Sequence, residues 1–186
     1  MSRFVHLIVV MIALATVPAA AQGPTSSQRF NAWRLDCYPP KVKPTSGVAT
    51  FDTQGATRSN CQLQQEIRLQ SDRTKVAAIV RVRLFGAERQ PFLLLLLPPN
   101  AQTDLGVTYA IDSADPFKVR IRECTAEECV AALLLDGQRL YALRHGSQLA
   151  VGFKVGGTSI ATLVALDGFD AAYAGLETAG AGPAAN

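Results

Sequence analysis

Apolar and polar residues alternate along most of this chain, and the period is two. Over 30–37, Trp33, Leu35 and Cys37 fall on one side of an extended segment, with Arg34 and Asp36 on the other. Leu63, Gln65, Ile67 and Leu69 oppose Gln64, Glu66 and Arg68. Between Val76 and Phe85, Val80, Val82 and Leu84 oppose Arg81 and Arg83. Phe117, Val119 and Ile121 oppose Lys118, Arg120 and Arg122. Phe92 to Leu97 is apolar on both faces, which predicts a strand placed centrally in a sheet. Pro98, Pro99 and Asn100 end it. Shorter strands are expected at Tyr109–Asp112, Val130–Leu135, Leu140–Leu143, Leu149–Val155 and Ile160–Leu166. Turns are expected at Ser71–Thr74, Gly86–Gln90, Asp136-Gly137, Arg144–Ser147 and Gly156-Gly157. Asp167 to Leu176 reads instead as one short helix, with Phe169, Ala172, Tyr173 and Leu176 on a single stripe. About ten short strands, regular turn signals and no α/β alternation predict an all-β fold. The expected form is an antiparallel β-sandwich with one short C-terminal helix.

The N-terminus breaks this pattern. Arg3 precedes an almost wholly apolar run from Phe4 to Val17, and Ala19-Ala20-Ala21 supplies small residues. Residues 1–21 therefore read as a signal peptide cleaved near Gln22, and the mature chain as exported. Pro18 and the alanines end the run too early for an uncleaved span. Phe92–Leu97 is too short for one, so no transmembrane span is expected in the mature chain. Residues 22–29 read as a flexible leader, 30–177 as a single domain and 178–186 as a flexible small-residue tail. The formal charge of +3 includes the Arg3 lost with the leader. A bias this small argues against a nucleic-acid partner.

Export changes the meaning of the cysteines. Cys37, Cys61, Cys124 and Cys129 all lie in the mature chain, and an even count in an oxidising compartment reads as two disulfides. Three pairings are possible. We favour Cys37–Cys61 with Cys124–Cys129, because each pair brackets a local polar loop. Loop entropy assigns about 3.5 kcal/mol to the longer closure and about 2 kcal/mol to the shorter. The longer one encloses 39–60, rich in Pro, Thr, Ser and Gly, with Val48–Phe51 as a short strand candidate. Zinc is disfavoured because Cys37 and Cys61 are too far apart for a close ligand pair. A C-x-x-C redox motif is absent.

Catalytic chemistry is hard to find. His145 is the single histidine of the mature chain and is expected in a surface turn, Arg144-His145-Gly146-Ser147. A hydrolase built around it would need an oriented carboxylate or serine, and no G-x-S-x-G elbow occurs. Gly156-Gly157-Thr158-Ser159 lacks the lysine and helix of a phosphate loop and reads as a hairpin turn. No cofactor or metal site is expected. The remaining feature is charge on strand faces. Arg81 and Arg83 share one face, and Lys118, Arg120 and Arg122 share another. Were those strands neighbours, five cations would form one patch, kept by carboxylates such as Glu66 and Glu123 or by an anionic envelope component or protein partner. The plainer alternative is a solvated outer face.

Several of these segments, in order, resemble the invasion-associated locus B family of exported bacterial proteins. The resemblance runs from about Phe30 to Leu176. It rests on Trp33 before Cys37, Cys61 before Leu63-Gln64, Cys124-Thr125-Ala126-Glu127-Glu128-Cys129 before Val130-Ala131, and Leu166-Asp167-Gly168-Phe169-Asp170-Ala171-Ala172-Tyr173 with Leu176. It implies a compact β-sandwich at the periplasm or outer envelope, the local disulfide pairing, and no assigned biochemical activity. The family's founding members are linked to host-cell entry. In one departure, Glu128 stands where glycine often precedes the second cysteine of the tight loop. A positive φ there would strain it.

Overall fold

The computed structural model describes residues 23–39, 60–69 and 72–180. The expected signal peptide 1–21, the strand candidate at Val48–Phe51 and most of the 39–60 excursion lie outside these residues. Eleven strands and two helices follow in order: β1 (Ser26–Phe30), β2 (Trp33–Tyr38), β3 (Asn60–Arg68), β4 (Val76–Phe85), β5 (Gln90–Leu97), β6 (Val107–Ile111), β7 (Phe117–Val119), β8 (Ile121–Cys124), β9 (Cys129–Leu134), α1 (Gly137–His145), β10 (Gln148–Val155), β11 (Thr158–Ala165) and α2 (Phe169–Gly180).

The strands form two antiparallel sheets. One has seven strands in the order β1-β2-β3-β4-β5-β9-β8, and the other has four in the order β11-β10-β6-β7. The period of two explains the layering. Trp33, Leu63, Val80, Val82, Leu93, Leu95 and Ala131 line the inner face of the large sheet. Val107, Tyr109, Leu149, Val151 and Val164 line that of the small one, and all are buried in one core. The all-apolar 92–97 run is central, between β4 and β9.

Several expectations are corrected. The segment 30–37 is not one strand, because the chain reverses at Asn31-Ala32, with Asn31 at φ 49°. Residues 26–28, expected in a loose leader, pair with β2 as part of β1. Their side chains are exposed, and the Ser27 hydroxyl adds a bond to Asp36 at 2.6 Å. Leu140–Leu143 is helical, so there are two helices rather than one. The Asp136 side chain caps α1 by accepting from the Arg139 N–H at 2.8 Å, and Arg144 and His145 occupy its last turn. Arg120 interrupts the expected strand 117–121, where the chain leaves the small sheet at β7 and joins the large one at β8. The C-terminal helix is present and runs to Gly180.

Both expected disulfides are formed, Cys37–Cys61 across β2 and β3 and Cys124–Cys129 across β8 and β9. The first closes a separation of 24 residues and the second one of 5. Glu128 is not among the residues with positive φ, so the tight loop accepts it without that strain. α2 closes the sandwich against β1, β2 and β3. Phe169 meets Trp33 edge-on at 5.0 Å, and the Trp33 indole N–H donates to the Ala165 carbonyl at 3.0 Å. Gly168, at φ 82°, passes so near Phe30 that a Cβ there would lie 2.3 Å from its carbonyl oxygen. Asp167 Oδ1 accepts from the Asn31 amide at 3.0 Å.

Candidate functional site

The sequence singled out five cations, and the structure divides them. β4 and β7 belong to different sheets, and β5 and β9 separate β4 from β8. Arg81 and Arg83 therefore do not join Lys118, Arg120 and Arg122 in one patch.

Arg81 and Arg83 sit on the outer face of the large sheet within a polar network. Gln64 lies opposite Arg81 in register and accepts from its Nη2 at 3.4 Å, and also from the Gln62 amide at 3.3 Å. Arg83 Nη2 donates to Asn60 Oδ1 at 2.7 Å, and its guanidinium lies 5.3 Å from the Phe85 ring centre. Next to them, Asp36 is 1% exposed. It accepts from Ser27 Oγ at 2.6 Å and from Arg34 Nε at 2.7 Å. Burial, and then the like charge of Arg83, lower the pKa of Arg81 from its ordinary value. Glu66, expected as a possible neighbour, pairs with Arg68 at 2.5 Å instead.

Lys118, Arg120 and Arg122 are arranged differently. All three are exposed, at every second position of the ribbon 117–124, while Phe117, Val119 and Ile121 are half-buried. None has an ion-pair partner among the described residues. Extended geometry spaces their Cα atoms about 6.6 Å apart. They make a stripe on the rim where the chain crosses between sheets.

His145 lies on the exposed side of α1, not in a strand turn. Its ring stacks on Tyr141 at 4.1 Å, and Nδ1 is 2.9 Å from the Tyr141 carbonyl oxygen. The Ser147 N–H donates to Asp112 Oδ1 at 3.0 Å, so Asp112 braces that turn. Two clefts open on the surface. One of about 390 Å³ at the start of β2 is lined by Arg29, Arg34, Gln65, Glu66 and Arg68 among others. One of about 600 Å³ lies on the outer face of the small sheet. His145 lines neither. No cluster of His, Cys, Asp and Glu suited to a metal occurs among the described residues. Sequence reasoning missed Tyr109. Its hydroxyl is buried without a partner, and burial raises its pKa. Its place in the β6 alternation signalled burial, but not the orphaned hydroxyl.

The fold defines a class: a twice-stapled antiparallel β-sandwich closed by a C-terminal helix. The family model described as invasion associated locus B (IalB) protein matches residues 48–177, and the chain belongs to that family. Among solved structures, the chain is similar to the crystal structure of invasion associated protein B from Bartonella henselae. Identity is 19%, with 83% of this chain and 97% of that one covered and a TM-score of 0.62. At that identity the likeness establishes the shared fold. No curated protein matches the chain. Among the described residues, no helix is long and apolar enough to cross a membrane.

Proposed function

We propose that this chain is an exported, non-enzymatic binding module of the cell envelope, and that Lys118, Arg120 and Arg122 engage an anionic surface there. Family membership supports the envelope setting. The carrying observation is the stripe of three exposed cations without ion pairs on the rim. Cations satisfied within the protein, like Arg83 with Asn60, have less to gain from an external anion. Free ones gain Coulomb energy and release bound counterions, an attraction that salt screens over about 8 Å at physiological ionic strength. Phosphate-bearing lipid headgroups are the first candidate partner. A host-cell role, by analogy with the Bartonella invasion associated protein B, would use the same surface against an anionic cell exterior.

The experiment is co-sedimentation of the mature domain with vesicles containing phosphatidylglycerol, against neutral phosphatidylcholine vesicles. Retention on the anionic vesicles should fall as salt rises. It should be lost in the triple variant Lys118→Ser, Arg120→Ser, Arg122→Ser, whose circular dichroism stays native. Arg83→Ser should keep it. Equal retention of the triple variant and the parent would refute the rim as the binding surface.

A further inference from the structure

The four strand ends of the two sheets are not protected alike. β1 carries Arg29, β7 is three residues long and carries Lys118, and β8 is four residues long with Arg122 and Glu123. Short, charged edges resist the addition of another strand. β11 is different. It is eight residues long, Thr-Ser-Ile-Ala-Thr-Leu-Val-Ala, with no charge and no proline, and it ends the small sheet.

Its main-chain groups follow from the register. The Gln148 carbonyl accepts from the Asp112 N–H on the β6 side, and Gln148 faces Ala165 across β10 and β11. Ala165 therefore turns its N–H and C=O away from β10, and the Trp33 indole meets that carbonyl. By the same alternation, Ser159, Ala161 and Leu163 turn theirs to the open edge. No strand pairs there among the described residues. All three residues are exposed, and Leu163 is 63% exposed.

The groove of about 600 Å³ adjoins this edge. Ala150, Gly152 and Ala161 form a floor of small residues, with Leu163 beside them. Arg68 and Arg73 stand on the wall supplied by the β3–β4 connection. No carboxylate lines it among the described residues. Arg68 is paired with Glu66, whereas Arg73 has no ion pair among the described residues.

We propose that β11 receives an extended segment of a partner protein as an added strand, with apolar side chains over the small-residue floor and a carboxylate facing Arg73. The open N–H and C=O groups recognise a peptide main chain, which an acyl chain does not offer. The unopposed arginine selects an acidic segment. This site is independent of the rim cations. β7 and β11 are opposite edges of one sheet, about 14 Å apart by strand spacing, so both surfaces can be occupied together.

The probe is an acetylated eight-residue peptide alternating valine with threonine and glutamate. Its controls are a lysine-for-glutamate version and a version N-methylated at alternate amides. Two-dimensional NMR on the mature domain should show the acidic peptide shifting the amides of Ser159, Ala161 and Leu163. N-methylation should abolish the shifts, and lysine should weaken binding about threefold to fivefold, as should Arg73→Ser. Ala161→Pro removes an edge donor without touching the β10 ladder and should abolish binding. Leu163→Lys is the second variant should the proline disturb folding. Shifts elsewhere, equal binding of the N-methylated peptide, or no binding at millimolar peptide would overturn the proposal. So would concentration-dependent dimerisation that protects the same amides without peptide, since it would make a second copy the occupant.

Discussion

The two sheets of this sandwich are finished to different degrees. The seven-stranded sheet is stapled twice, its edges are short or charged, and its outer cations Arg81 and Arg83 bond to neighbours on the same face. The four-stranded sheet has no disulfide and one long uncharged edge. Both sheets bury polar atoms without a partner, Gln65 Oε1 and Arg81 Nε in the large one and the Tyr109 hydroxyl in the small one. Strand length and core composition do not separate them. What differs is how their edges and covalent links are finished. The large sheet acts as scaffold, and the open edge of the small sheet and the unpaired rim cations are where a partner has something to supply.

Three perturbations test that contrast. The largest effect is expected from Trp33→Ala, because this ring couples the sheets through Ala165 and Phe169. Urea unfolding should show a loss of about 3–5 kcal/mol, and β11 amides should exchange faster. A loss under about 1 kcal/mol would show that the sheets are coupled elsewhere. Next, replacing Cys37 and Cys61 with alanine should destabilise by about 3.5 kcal/mol, against about 2 kcal/mol for Cys124 and Cys129. The reverse order would mean that loop length does not govern the scaffold's stability. The smallest effect is a gain. Tyr109→Phe removes a hydroxyl that is buried unpaired and should stabilise by about 1 kcal/mol. It should also change the alkaline limb. Burial raises the Tyr109 pKa above its unfolded value, so this group's pH-dependent contribution is whole below about pH 10 and lost as pH rises through the folded pKa. Denaturation at about pH 8 and about pH 11 should therefore show a shallower decline for the phenylalanine variant. Identical declines would place the hydroxyl in contact with water.

Much of this was legible in the chain, and the exceptions share a cause. The inner faces of β3 and β4 followed from alternation, because one-sided burial writes itself into a period of two, and the central place of β5 followed from its apolar run. Ser26–Phe30 carried no such mark, since β1 is held by main-chain pairing, by the Ser27–Asp36 bond and by Phe30 at its end, while its first four side chains are exposed. Leu140–Leu143 looked extended because α1 is short and buries only Leu143, too little to show a stripe. Its helical signals were Asp136 before it and Arg144-His145 at its end. The cation patch failed for a topological reason. Alternation tells which residues share a face of one strand, but not which strands are neighbours. The chain's change of sheet at Arg120 leaves no trace in periodicity. His145 could be judged isolated only once α1 was placed.

The Trp33 indole finds its bond 132 positions later, and Asn31 meets Asp167 at a separation of 136. A chain that emerges N-terminus first, from a ribosome or a translocation pore, cannot bury its largest aromatic ring until nearly all of it is out. Hairpins such as β4–β5 and β8–β9 can zip as they appear, but the final lock waits for Phe169. Truncation near the C-terminus should therefore cripple maturation far more than the few lost residues suggest, because they carry the bolt for the first hairpin made.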